Sequence, residues 1–172
     1  MSYKWNTRTE LLLGAERMEY LSHCHVLVVG LGGVGAYAAE QICRAGIGHM
    51  TIVDADTVND SNINRQLPAL HSTLGMQKAE VVGQRLLDIN PRLKLTILNE
   101  FLRDERTEEV LSAQKYDFIV DAIDSLSPKA YLLYHAYRRE IPIVSSMGAG
   151  AKIDPSQVKI ADISKTCNCA LA

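Results

Sequence analysis

Apolar and polar positions along this chain switch repeatedly between two periods. Residues 25–30 hold a compact apolar run, Val26-Leu27-Val28-Val29, that ends on a glycine and predicts a buried strand. Residues 33–45 then follow a helical period closed at Gly46, a residue suited to a left-handed helix stop. The alternation continues with a strand over 50–54, a helix over 76–89 stopped by Asn90-Pro91, and a strand over 93–98. A short helix over 105–113, a strand over 116–122, a helix opening at Ser127-Pro128 and a strand over 141–146 complete the series. Ahead of the first strand, Leu12, Leu13, Met18 and Leu21 recur at helical spacing and predict one amphipathic helix over 9–21. Residues 158–162 read as one more strand. Strands alternating with helices imply an α/β, Rossmann-like fold: a mostly parallel sheet with helices on both faces.

The first strand-to-helix junction carries chemistry. Gly30, Gly32 and Gly35 fit G-x-G-x-x-G, and Asp54, at the end of the second strand, lies 19 residues past Gly35. That spacing is the one expected of an acid that binds ribose. Gly30 permits a tight turn, Gly32 lets the backbone approach a phosphate, and Gly35 lets helix and strand pack closely. The helix start adds free N–H groups and a partial positive charge. A glycine-rich turn kept only for packing is the plainer alternative, and the placement between strand and helix argues against it.

A 20-residue connection over 55–74 follows the second strand, and loops of that length are usually functional or disordered. It carries Asp56, Ser61, Asn62, Asn64, Arg65 and Gln66, and the next helix carries Lys78. Two cations and several amides beside a phosphate-binding turn suit a triphosphate better than a nicotinamide ring. Strand four ends Asp121-Ala122-Ile123-Asp124, which brings Asp124 to the same edge, and a carboxylate facing phosphates normally requires a divalent ion, most simply Mg²⁺. Plainer roles stand beside these: Arg65 and Lys78 as solvated charges, Asp124 as a helix cap, Asp56 as a loop cap or a second aid to the metal.

Composition narrows the class. With 18 Lys plus Arg against 20 Asp plus Glu, the net charge of −2 argues against a strongly basic nucleic-acid coat. No apolar run approaches the ~20 residues of a membrane span. Met1-Ser2-Tyr3-Lys4-Trp5 lacks an apolar signal core, so a cytoplasmic protein with free thiols at Cys24, Cys43, Cys167 and Cys169 is expected. The 172 residues suit a single nucleotide-binding domain, and an ending soon after 158–162 suggests a chain shortened at its carboxyl end. His23, His25, His49, His71 and His135 show no metal spacing.

In order and spacing, Gly30-Leu31-Gly32-Gly33-Val34-Gly35, Asp54-Ala55-Asp56-Thr57-Val58, Ser61-Asn62-Ile63-Asn64-Arg65-Gln66, Gly75-Met76-Gln77-Lys78 and Asp121-Ala122-Ile123-Asp124 resemble the ubiquitin-activating-type adenylating enzymes, the ThiF/MoeB/HesA superfamily. The resemblance covers roughly residues 8 to 165. Arg44-Ala45-Gly46-Ile47-Gly48, Ser146-Met147-Gly148-Ala149-Gly150 and Asp154-Pro155-Ser156-Gln157, followed by Ala161-Asp162-Ile163-Ser164-Lys165-Thr166, look most like the tRNA threonylcarbamoyladenosine dehydratases.

The resemblance implies ATP as cofactor, with Gly30, Gly32, Gly33, Gly35, Asp54, Asp56, Asn62, Arg65, Gln66, Lys78 and Asp124 around it. Asp54 would hold the ribose hydroxyls; Gly32 and Gly33 would receive phosphates; Asn62, Arg65 and Lys78 would bind the triphosphate; Asp124 would ligate Mg²⁺. Arg65, Lys78 and Asp124 would carry catalysis. The partner implied is tRNA bearing threonylcarbamoyladenosine, activated at its carboxylate for cyclisation with loss of water, and the assembly implied is a homodimer. Arg8 sits where related enzymes supply an arginine to the partner subunit's ATP site, although Trp5-Asn6-Thr7 departs from that pattern.

Other classes remain open at this point. Activation of the C-terminal Gly-Gly of a ubiquitin-like sulfur carrier, in molybdopterin or thiamine synthesis, is the alternative. Members of that branch carry two C-x-x-C pairs for zinc, whereas Cys167-Asn168-Cys169 is a lone C-x-C. An NAD-dependent oxidoreductase is disfavoured by the Asn62, Arg65, Lys78 and Asp124 set, and a non-catalytic nucleotide-binding module is the remaining possibility. The tail at 167–172 stands where the dehydratases continue into a basic segment expected to contact tRNA.

Overall fold

A computed structural model describes residues 4–167, 169 and 171. The expectations for Met1, Ser2, Tyr3, Asn168, Ala170 and Ala172 lie outside the described residues. Five strands form one parallel sheet in the order β3-β2-β1-β4-β5: β1 (His25–Val29), β2 (His49–Val53), β3 (Lys94–Leu98), β4 (Phe118–Asp121) and β5 (Ile143–Ser145). Val29 lies beside Val53 on one side and Asp121 on the other, and Asp121 lies beside Ser145. Leu98 lies beside Val53 in turn, so all five strands end at one level and whatever follows them shares one edge.

The apolar alternation in β1 sorts its side chains to two cores. Val26 and Val28 pack with Met50 and Ile52 against α3 (Gly35–Ala45) and α4 (Lys78–Ile89). Leu27 and Val29 pack with Ile119 against α5 (Asp104–Ala113) and α6 (Leu126–Arg138). The central strand is buried along its whole length, as a doubly covered parallel strand must be. On the α3 side the cover stops short of β5. A groove of about 610 Å³, lined by Val26, Ala38, Ile42, Phe118, Val120 and Val144 among others, runs over that part of the sheet.

Three predicted elements differ. The single helix over 9–21 is two, α1 (Thr7–Leu13) and α2 (Ala15–His23), broken at Gly14, whose φ of +83° lies in a region that favours glycine. Leu12, one of the positions behind that prediction, is exposed, while Leu21 packs on the core. The helix expected from residue 76 begins at Lys78. Residues 76 and 77 instead fold back on the preceding loop: Val58 N donates to Met76 O at 2.8 Å, and Thr57 bridges Gln77. Residues 158–162 are not a strand. They run between 3-10 turns at Pro155–Gln157 and Ile163–Lys165, with Val158 and Ile160 exposed and no ladder partner among the described residues. A strand without a neighbour leaves its backbone groups to water, and extended sequence character alone does not create one.

Smaller offsets occur at helix starts. α3 begins at Gly35 because residues 33 and 34 still belong to the turn, and Gly46 ends it at φ +100° as expected. α6 begins at Leu126 with Ser125 in the cap position, and Pro128 falls in the first turn. No helix of the described residues is long and apolar enough to cross a membrane.

Candidate active site

The sheet order reverses between β1 and β4, and the crevice outside strand ends at such a point is where open α/β sheets take ligands. The glycine turn enters it. Gly30 has φ +88°, and a Cβ placed there would come within 2.7 Å of Ala122 O. A Cβ on Gly35 would overlap the carbonyl oxygen of Gly30. The exit of β1, the start of α3 and the exit of β4 therefore meet backbone to backbone. Ala38 N donates to Val34 O at 3.0 Å, while the N–H groups of residues 32–37 meet no protein acceptor among the described residues. They form the donor-rich helix start that an anion would occupy.

Asp54 is tied directly to this turn. Its Oδ2 accepts from Leu31 N at 2.6 Å and its Oδ1 from Asp56 N at 2.8 Å. Burial pushes the carboxyl above the usual aspartate range, and the two N–H donors and the charge of Lys78 oppose that shift. Each carboxylate oxygen keeps a lone pair for a further donor, such as a ribose hydroxyl.

The 55–74 connection is ordered by its own hydrogen bonds. Lys78 N donates to Asp56 O at 2.9 Å, and Lys78 Nζ pairs with Asp56 Oδ2 at 2.8 Å, the lysine side chain being 6% exposed and the aspartate 54%. Asn62 is buried and its Oδ1 accepts from Asn59 N at 3.1 Å, so its oxygen holds the loop. Arg65 is exposed, with Nη1 donating to Ser61 O at 3.0 Å and Asn64 Oδ1 at 2.9 Å, and its chain lies over Gly33. Gln66 is buried, and its Oε1 has no partner in the structure.

A cavity of about 420 Å³ gathers Gly32, Gly33, Arg65, Gln66 and Asp124 with the 146–150 segment and Leu171. Asp124 is exposed, and among the described residues its hydrogen bond comes from Ser125 Oγ at 3.4 Å. The cap position of α6 belongs to Ser125, which makes no side-chain cap bond. Asp54, Asp56, Asn62 and Lys78 do not line this cavity; Asp54 is joined to the turn through Leu31 N, and Asp56, Asn62 and Lys78 hold the 55–74 connection. Gly30 and Gly35 shape the turn without lining it, and Arg8 is exposed on α1, away from the lining.

One buried group lies outside the residues that the sequence motifs single out. Lys129 Nζ donates to Asp121 Oδ2 at 2.6 Å, to Ser145 Oγ at 3.1 Å and to Ser146 O at 3.1 Å. Lys129 stands three and seven residues before Leu132 and Ala136, both fully buried, so its place on the inward stripe of α6 was available from the pattern. Cys24 and Cys43 are buried, and burial pushes the Cys43 thiol up to about 11, as suits packing residues. Among the described residues no group of three or more His, Cys, Asp or Glu is placed to hold a metal.

Known proteins resemble this chain in sequence and in fold. The chain is 39% identical over 175 residues to the tRNA threonylcarbamoyladenosine dehydratase of Escherichia coli, covering 100% of this chain and 65% of that protein. It is 42% identical over 160 residues to the enzyme of the same name from Bacillus subtilis, covering 93% of this chain and 63% of that protein. It thus spans about two thirds of the length of these curated relatives. The crystal structure of the E. coli tRNA N6-threonylcarbamoyladenosine dehydratase TcdA in complex with ATP superposes with a TM-score of 0.94 at 38% identity, over 98% of this chain and 69% of that one. The sequence model of the ThiF family matches residues 3–172, and the chain belongs to that family.

Proposed function

We propose that this chain is the nucleotide-binding domain of an ATP-dependent adenylating enzyme that activates the carboxylate of threonylcarbamoyladenosine in tRNA. The observation that carries this reading is that the glycine turn, tied to Asp54 through Leu31 N, meets Arg65, Gln66 and Asp124 around one cavity at the sheet edge. Similarity to the dehydratases over the whole chain supports the substrate.

In this reading Asp54 accepts the ribose hydroxyls and the amides at 32–37 receive phosphate oxygens. Lys78, held by Asp56, and Arg65, held by the loop, stabilise the charge that grows on pyrophosphate. The substrate carboxylate attacks the α-phosphorus, pyrophosphate leaves with the bonding electrons, and an acyl-adenylate forms. The adjacent carbamoyl nitrogen then attacks the acyl carbon and loses its proton as AMP departs with the carboxylate oxygen. The net change is an ATP-driven loss of water. The substrate is its own nucleophile, so catalysis rests on positioning and charge stabilisation.

A divalent ion fits the residues present. Asp124 offers a solvent-facing carboxylate on the cavity, and Mg²⁺ is commonly held by one or two carboxylates plus substrate phosphates. Asp121 is already occupied by Lys129 and Ser145. Bound there, the ion would neutralise phosphate charge. Homodimer assembly, a cytoplasmic location and tRNA contacts that extend beyond this domain complete the proposal.

Mass spectrometry of digested tRNA tests it. Protein, Mg-ATP and threonylcarbamoyl-modified tRNA should release AMP and yield a nucleoside lighter by one water. Absence of that mass loss, together with adenylation of a carrier protein ending in Gly-Gly, would transfer the chain to sulfur-carrier activation.

A further inference from the structure

The Lys129–Asp121 pair has no part in the roles above, yet it joins two walls of the cavity. Both side chains are dry, at 1% and 0% exposure. The three acceptors of Lys129 Nζ lie on the last residue of β4, the last residue of β5 and the first residue of the loop that follows β5. An ammonium has three hydrogens, so this one is fully committed. Asp121 is committed as well: Oδ2 also accepts from Ser145 Oγ at 2.5 Å, and Oδ1 accepts from Ile123 N at 3.0 Å, inside the turn that leads to Asp124.

We propose that Lys129 and Asp121 are positioning residues for the acyl side of the site, fixing the 122–124 turn that presents Asp124 against the 146–148 loop that faces it. The proposal rests on the reading of this cavity as an adenylation site. A buried ion pair gives little net stability over apolar isosteres of the same shape. What it supplies here is direction, because one ammonium bonded to three strand-end and loop acceptors admits a single spacing between them. The nucleotide side is anchored separately, through Leu31 N to Asp54 and Lys78 to Asp56. Loosening the pair should therefore disturb the acyl step and leave nucleotide binding alone.

The double variant Lys129→Met/Asp121→Asn removes both charges together, so no lone charge is left buried. It should unfold cooperatively and bind AMP, without metal, within about twofold of wild type, the anchors being separate. Hydrogen exchange at amides 146–148 should accelerate by at least about tenfold, with β1 and α3 unchanged. With modified tRNA, kcat should fall by at least about tenfold while KM for ATP stays within about threefold, the signature of misplaced reacting groups. Unchanged exchange at 146–148, or a kcat within about twofold of wild type, overturns the proposal. Should wild type prove inactive on modified tRNA, the functional reading fails, and the exchange measurement still decides the positioning role. If the double variant does not fold, Ser145→Ala keeps the charges balanced and removes one tether; loop exchange unaltered there also overturns the proposal.

Discussion

Two lysine–aspartate pairs stand at the same edge of the sheet with nearly equal contacts, 2.8 Å for Lys78–Asp56 and 2.6 Å for Lys129–Asp121. Their surroundings differ. Asp56 is half in water and its lysine lies beneath the loop, so the pair faces solvent on one side. Asp121 and Lys129 see no solvent. Distance alone would treat them as equals; hydration separates them. A pair with one wet partner can surrender its cation to an incoming phosphate at small cost, whereas a dry pair cannot be divided without leaving a charge in low dielectric.

The largest test of this contrast is the single substitution Lys129→Met. It strands Asp121 without a counter-charge and should destabilise the fold by about 3–5 kcal/mol in chemical denaturation, with most of the loss recovered by adding Asp121→Asn. A single variant as stable as wild type would mean that the pair is not dry in solution. The parallel edit on the other pair should move chemistry instead. Lys78→Met keeps the buried stem and leaves Asp56 hydrated, so stability should change by less than about 1 kcal/mol. Its adenylation rate should drop on the order of a hundredfold, by analogy with removing one donor to a developing oxyanion. A variant that loses stability but not rate would reverse the two assignments.

Asp54→Ala sharpens the comparison from the ligand side. Losing two hydroxyl bonds to a carboxylate, at roughly 1.5–3 kcal/mol for a charge-assisted bond, should weaken ATP binding at least about tenfold in calorimetric titration with the fold intact. Unchanged affinity would remove Asp54 from the site. The smallest effect lies at the opposite edge of the sheet, where His25 Nε2 lies 2.9 Å from Thr51 Oγ1. Burial holds the imidazole below its usual value of 6.5, so the folded state prefers it neutral. Its contribution to stability is complete above 6.5 and is lost as pH falls through the lower folded value. The melting temperature should therefore decline on acidification below neutrality, and His25→Asn should flatten that decline. An equal slope in the variant would assign the effect to other groups.

The sequence was most legible where one residue's role depends on near neighbours. Val26 to Val29 announce a strand buried on both faces, Gly46 ends its helix, and Asp54 follows the glycine turn at a fixed interval. Roles that depend on chain closure were harder to see. Residues 76 and 77 carry a helical pattern, yet the return of the 55–74 loop claims them for a bridge. Residues 158–162 alternate like a strand, but a strand needs a neighbour, which its own composition does not specify. Gly14 sits inside a helical apolar pattern and still breaks it, because spacing records which side chains face one way and not whether the backbone between them is continuous. Lys129 was hidden by chemistry: a lysine reads as surface until the stripe it shares with Leu132 and Ala136 is followed inward.

The backbone contact between Gly30 and Ala122 bears on how this site could be redesigned. At Gly30 the turn meets the backbone of Ala122 with no side chain between, so a methyl group at position 30 would have to displace the Ala122 carbonyl and cannot act as a spacer. The spacing between the glycine turn and the exit of β4 is thus closed to gradual adjustment at that junction. Variation aimed at accepting a different carboxylate belongs on the opposite wall, where Met147 and Ala149 line the cavity and Gly150 has open space around its Cα. A library built at those positions would explore acyl size while keeping the nucleotide register constant.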